Sequence, residues 1–266
     1  MEYTDKYIPK ELLALKINYC RKRLSQLPKF NMHTHSVRGI QTVRMISSEH
    51  RYNLNSERGQ AMYAAAVERE KLERQLEVYE AIWNCYYRMP PPEYDPPKVV
   101  KLLRTDYNRQ VILNKEYFDA LKNDANTMYP KPMLHPFNGI QYRSAAEKEI
   151  AMFYTEMGIP FKYEPEVRFP GVKKPQFPDF VLYITELDTC KFHEHFGLMN
   201  YASYNRDVKL KCSTFADAGL LIDQDVFFTY NTEDQPLDTR YLAAKINTAV
   251  YGTLISCNEW INCTSI

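Results

Sequence analysis

Residues 89–97 read Met-Pro-Pro-Pro-Glu-Tyr-Asp-Pro-Pro. No helix runs through five prolines in nine positions, because each proline lacks a backbone N–H and restricts the residue before it. The chain of 266 residues therefore divides here. The expected organisation is a mainly helical region over 1–96 with a hairpin and a long helix, a connector over 97–140, and an α/β domain over 141–266.

The N-terminal region is readable from its periodicity. Residues 8–27 predict a helix with Leu12, Leu13, Leu15 and Ile17 on its apolar side, stopped by Pro28. Residues 29–47 predict a hairpin turning near Arg38-Gly39. Residues 56–88 predict a long helix in which Leu72, Leu76, Tyr79 and Trp83 recur at four, three and four positions. With its charged intervening stretch it reads as a coiled-coil-like arm or hairpin partner, and as a seam through which two copies could form a homodimer. Short helices are expected near 97–104 and 115–123, and a loop over 124–140.

Beyond residue 140 the pattern becomes an alternation of helix and strand. Ser144 followed by Glu147 opens a helix in capping-box style, ended by Gly158-Ile159-Pro160. Strands are expected over 161–169, 179–184 and 190–196, a helix from about 200 to 218, a strand over 225–230, and a last helix from Pro236 to about Leu254. This order specifies an α/β layer with a mixed sheet.

Charge follows the same division. Residues 1–140 hold 22 Lys and Arg against 16 Asp and Glu, and residues 141–266 hold 12 against 17. A basic half beside an acidic half suits a polyanion grip next to a metal site. No segment approaches the roughly 20 apolar residues of a membrane span. The N-terminus has no apolar signal-peptide core, and the six cysteines form no CxxC pair. A cytoplasmic chain with free thiols is the expectation.

Two acids stand inside otherwise apolar runs: Asp179 in Pro-Asp-Phe and Glu194 in His-Glu-His-Phe-Gly. With the turn between their strands at Glu186–Asp188, antiparallel partners sum to 373. Asp179 and Glu194 then lie opposite one another on one face. Like charges in that position repel, and burial raises the cost unless a cation neutralises them. Hard oxygen ligands favour Mg²⁺ or Mn²⁺. The plainer reading is that Asp179 caps a strand and Glu194 pairs with a Lys or Arg.

The series Arg-Ser-Ala-Ala-Glu-Lys-Glu (143–149), Tyr-Glu-Pro-Glu-Val (163–167), Pro-Asp-Phe (178–180), Glu-His-Phe-Gly (194–197), then Lys211, Phe215 and Gly219, Thr-Tyr-Asn-Thr-Glu-Asp (229–234) and Pro-Leu-Asp-Thr-Arg-Tyr-Leu (236–242) resembles the PD-(D/E)xK nuclease superfamily. Within it the match is to a branch of bacterial and phage proteins with a helical N-terminal region. The resemblance covers about residues 141–250. It implies a restriction-endonuclease-like αβββαβ core and hydrolysis of phosphodiester bonds, in DNA foremost. It implies Asp179 and Glu194 as metal ligands, Glu147 as a further ligand or water-mediated contact, and Mg²⁺ or Mn²⁺ as cofactor. The superfamily's lysine stands two residues after the second carboxylate, where this chain has Phe196. Lys211 on the following helix is the candidate substitute, with Lys209 behind it. A metal held by carboxylates lowers the pKa of bound water and polarises a phosphoryl oxygen, and a lysine balances developing charge.

Other signals are weaker. His193 and His195 fall on the strand face opposite Glu194. His33 and His35 form an HxH that resembles the opening of a class of metal-dependent phosphoesterases, without the downstream ligands such a site needs. Arg21-Lys22-Arg23, and Lys98 with Lys101 and Arg104, are candidate phosphate contacts, and Tyr86-Tyr87 a candidate base-stacking pair. A catalytically silent nuclease-fold module that binds nucleic acid or a protein partner is the alternative to an enzyme.

Overall fold

The computed structural model describes residues 10–37, 40–45, 51–91, 93, 98–129, 131, 135–197, 202–232 and 235–257, with the backbone alone over the 30–45 hairpin and at 51, 202–205 and 207. The chain separates into two compact units, Leu13–Pro96 and Met1–Leu12 with Pro97–Ile266. The division falls at the proline block.

The first unit holds helix α1 (Lys10–Gln26) from Leu13 onward, followed by strands β1 (Phe30–Val37), β2 (Ile40–Met45) and β3 (Arg51–Asn53), then helix α2 (Glu57–Tyr86). The three strands form one antiparallel sheet in the order β1-β2-β3. The hairpin stands as expected, and β3 adds an edge strand to it. Ser56 caps α2 by accepting from the Gly59 N–H at 3.1 Å. Glycine is required at 59, since a Cβ there would lie 1.8 Å from the Asn53 carbonyl oxygen.

Helices α1 and α2 pack antiparallel. Cys20, Leu27 and Leu72 are buried together, with Leu76 and Tyr79 against them. Arg21 pairs with Glu80 at 2.8 Å and Arg23 with Glu68 at 2.7 Å. Leu72, Leu76 and Tyr79, expected on the seam for a second copy, are thus packed within the chain. Of the two readings of the long helix, the hairpin partner is the one realised.

The second unit opens with β4 (Leu102–Asp106) and β5 (Arg109–Ile112), an antiparallel hairpin, then α3 (Lys115–Ala120). The helix expected near 97–104 is therefore corrected to a strand. Leu103 faces inward, fully buried, while Leu102 and Arg104 face out, which is a period of two rather than 3.6. A second hairpin, β6 (His135–Phe137) and β7 (Ile140–Tyr142), corrects the expected loop over 124–140. Asn138 and Gly139 turn it with φ of +47° and +77°, the positive pair that a two-residue hairpin demands.

Then come α4 (Ala145–Glu156), β8 (Phe161–Tyr163), β9 (Phe180–Ile184), β10 (Thr189–Phe196), α5 (Ala202–Asp217), β11 (Val226–Tyr230) and α6 (Thr239–Ile255). The sheet has the order β11-β10-β9-β8. The β8–β9 and β9–β10 pairs are antiparallel and β10–β11 is parallel, so the layer is a mixed sheet as expected. The strand expected over 161–169 is shorter. Glu164 takes φ +41°, Pro165 has no N–H to extend the ladder, and the chain regains a single bridge at Val167–Gln176.

Every residue of β10 is buried, so both sheet faces are covered. Cys190 and Phe192 face a core built with Leu103, Leu113, Phe118, Leu121, Phe169 and Phe215. Lys191 and His193 face the other way. Lys191 Nζ donates to Thr253 Oγ1 on α6 at 2.5 Å. His193 is stacked between Phe180 at 5.7 Å and Phe227 at 4.7 Å.

Candidate active site

The ladder between β9 and β10 ends at His193–Phe180, after Thr189–Ile184, Cys190–Tyr183, Lys191–Leu182 and Phe192–Val181. Every pair sums to 373. One step further sets Asp179 opposite Glu194, as the turn position predicts. The ladder is continued there by a side chain. Asp179 Oδ2 accepts the His195 backbone N–H at 2.7 Å.

Glu194 is 2% exposed. Lys211, on α5, brings its Nζ to 2.5 Å from Glu194 Oε2 and lies over the Phe196 ring at 5.8 Å from its centre. Phe196, two residues after Glu194 on the same strand, is buried against Phe228 with ring centres 5.5 Å apart. The ammonium beside Glu194 thus comes from the helix after its strand. Lys209 on the same helix is exposed.

Burial pushes the Glu194 carboxyl above its ordinary range. Lys211 opposes that shift, and Asp179 adds to it by charge and by hydrogen bonding. Glu147 is raised to about 7, first by burial and then by Asp179. Ser144 Oγ accepts the Glu147 N–H at 3.1 Å, so the expected cap forms. The Glu147 carboxylate accepts from the Tyr163 hydroxyl at 2.6 Å and the Arg143 N–H at 3.2 Å. These bonds hold it at the head of α4, close enough to Asp179 to feel its charge.

Asp179, Phe196 and Lys211 line a cleft of about 550 Å³ together with Arg143, Glu164 and Asn126. Sequence reasoning did not single out the last three. Arg143 Nε donates to Glu164 Oε1 at 2.6 Å. Glu164 stood in the Tyr-Glu-Pro-Glu-Val motif, and its acid directly before a proline was the available signal.

His193 and His195 sit on the reverse face, as alternation predicts. They belong to a buried chain that runs from Tyr154 Oη to His193 Nδ1 at 2.6 Å and from His193 Nε2 to Thr229 Oγ1 at 2.7 Å. It continues from Thr229 Oγ1 to His195 Nδ1 at 2.9 Å and from His195 Nε2 to Asn231 Oδ1 at 2.9 Å. One assignment satisfies all four contacts: Tyr154 donates, each Nε2 donates, each Nδ1 accepts, and Thr229 donates to His195. Both rings are then neutral, in agreement with burial lowering both pKa values. The chain anchors the strand whose N–H holds Asp179.

Several candidates lie elsewhere. The side chains of His33 and His35 fall outside the described residues. Arg21 and Arg23 are paired within their own unit, Lys101 pairs with Asp225, and Arg104 donates to the Asp217 carbonyl at 3.1 Å. Among the described residues no three His, Cys, Asp or Glu side chains are grouped closely enough to hold a metal by themselves, and no helix is long and apolar enough to cross a membrane.

Asp179 and Glu194 nevertheless form a donor set that fits a small hard cation. Both are oxygen ligands, they face one another, and Glu194 is buried at an energetic cost that a divalent ion would remove. No protein-family model, curated protein or solved structure matches this chain.

Proposed function

We propose that the chain is a metal-dependent nuclease that hydrolyses phosphodiester bonds in DNA, built on a restriction-endonuclease-like core. The element order α4-β8-β9-β10-α5-β11 and the mixed sheet support that core. The observation that carries the reading is the facing pair Asp179 and Glu194 with the Lys211 ammonium on Glu194. Asp179 and Glu194 would hold Mg²⁺ or Mn²⁺, with Glu147 reaching it through water. The bound ion would supply an acidified water and polarise the phosphoryl oxygen.

The chain's own residues do the rest. The His195 N–H fixes Asp179 in one orientation. Lys211 keeps Glu194 ionisable despite burial, and its ammonium balances negative charge that grows on a phosphate at the cleft mouth. Phe196, stacked on Phe228, gives the cleft an apolar surface.

A second reading is a silent module that binds nucleic acid or a protein partner. Phe196 in place of lysine favours it. A titration with Mg²⁺ and Mn²⁺, read by thermal melting and by cleavage of labelled DNA, separates the two. The enzyme reading expects both a higher melting temperature and cleavage. Absence of cleavage in a folded protein with either metal would leave the module.

A further inference from the structure

We propose that the cleft beside Asp179 is a base-recognition pocket, in which Glu164 Oε2 and Asn126 Oδ1 accept hydrogen bonds from the donor edge of an unstacked guanine. The proposal rests on the nucleic-acid reading of the neighbouring acids and adds a substrate preference to it.

Glu164 is 4% exposed. Its Oε1 accepts from Arg143 Nε at 2.6 Å and from Asn126 Nδ2 at 2.8 Å. Its Oε2 is buried with no hydrogen-bond partner, and so is Asn126 Oδ1. The Asn126 amide is fixed in this sense, because reversing it would set its oxygen against the Glu164 carboxylate. The two unsatisfied acceptors therefore belong to adjacent, hydrogen-bonded groups. Buried acceptors without partners are rare and costly, and two on touching residues that line one cleft point to a missing donor.

The backbone agrees. Glu164 holds φ +41°, a conformation rare for a non-glycine residue. It is fastened there by its N–H on the Asp179 carbonyl at 3.0 Å and by the Ala125 N–H on its own carbonyl at 3.0 Å. Strain of this kind persists where the surroundings enforce it, and here it ties the acceptor pair to a candidate metal ligand.

The Arg143 guanidinium already neutralises Glu164, so a second cation would meet like charge. Neutral N–H donors suit the site better. Guanine presents two adjacent donors, N1–H and the 2-amino group. Adenine and cytosine present an amine beside an acceptor, and thymine a single N–H between two carbonyls. Tyr129 and Phe177 supply aromatic walls, and Lys174 stands at the rim for a phosphate. Both acceptors are closed to water in the free protein, so a base enters by displacing the exposed Met128.

The test uses fluorescein-labelled nine-nucleotide thymidine strands with one central guanine, adenine, cytosine or thymine. Binding is read by anisotropy in EDTA, and cleavage separately in Mn²⁺. The central guanine is expected to tighten binding about tenfold over all-thymidine. Glu164→Gln and, independently, Asn126→Leu should remove most of that preference, with melting curves verifying that each variant is folded. Asn126→Leu leaves the Arg143–Glu164 pair in place, so it keeps the test open if Glu164→Gln fails to fold. Equal binding of all four strands, preference for another base, or a guanine preference that survives in the folded variants would overturn the proposal. Cleavage without base preference would sink the pocket and leave the nuclease. Guanine preference without cleavage would do the reverse.

Discussion

Lys211 Nζ lies 2.5 Å from Glu194 Oε2, joining the helix after the sheet's central strand to an acid within that strand. The two ends differ in exposure, 41% for the lysine side chain and 3% for the glutamate. The ammonium therefore lines the cleft in reach of solvent, and the carboxylate is buried behind it. Burial and Asp179 favour a protonated Glu194, while Lys211 favours the ionised form. Lys211 thus opposes the protonation that burial favours.

Removing that lysine separates its role from metal binding. Lys211→Ala should lower cleavage at least about 100-fold, the scale of a lost electrostatic stabiliser. The melting-temperature rise with Mn²⁺ should persist. Because Lys211 is partly solvated, the stability loss should be modest, about 1–2 kcal/mol at pH 8, and smaller at pH 6 where Glu194 can take up a proton. Unchanged cleavage would remove Lys211 from the mechanism.

The acids also set a pH dependence. Glu147 has a folded pKa of about 7 against an ordinary value of 4.5, and Glu194 is raised as well. A raised carboxyl contributes stability that is complete below its unfolded pKa and is lost as pH rises through the folded value. For Glu147 the loss runs from about pH 4.5 to above 7. The metal-free protein should therefore lose this contribution between pH 5 and 8, and a divalent ion should restore it. Melting with and without Mg²⁺ should show a larger metal-dependent rise at pH 8 than at pH 6, with proton release on binding detectable by calorimetry in buffers of different ionisation enthalpy.

The buried histidine chain predicts a stability effect on the reverse face. Thr229 serves both rings. Thr229→Val should cost roughly 2–4 kcal/mol in urea denaturation, because it strands one donor and one acceptor in the core. Thr229→Ser should recover most of it. Equal stability of the valine variant and the parent would show that the chain is not a stabilising unit.

The β9–β10 register was readable because a short turn fixes the pairing sum and a one-residue slip would reverse every side chain. Lys211 was singled out only through the resemblance, which expects a lysine where this chain has Phe196; its contact with Glu194 is what the structure adds. The helical pair and the mixed sheet followed from hydrophobic period. The two hairpins over 102–112 and 135–142 were not read, although Asn138-Gly139 was a strong signal within a stretch judged by its overall composition. Glu164, Asn126 and Arg143 share no period at all. They meet because Asp124 and Ala125 donate to the Tyr163 and Glu164 carbonyls, a tertiary adjacency between segments some 40 positions apart.

The central claim is that Asp179 and Glu194 hold a catalytic metal for phosphodiester hydrolysis. It is tested most directly by the rate of strand scission of labelled DNA in Mg²⁺ and in Mn²⁺, for the parent, Asp179→Asn and Glu194→Gln, each verified as folded. The account predicts scission by the parent that stops with EDTA and falls at least about 1,000-fold in both variants. Scission at the parental rate in folded Asp179→Asn and Glu194→Gln proteins would contradict it.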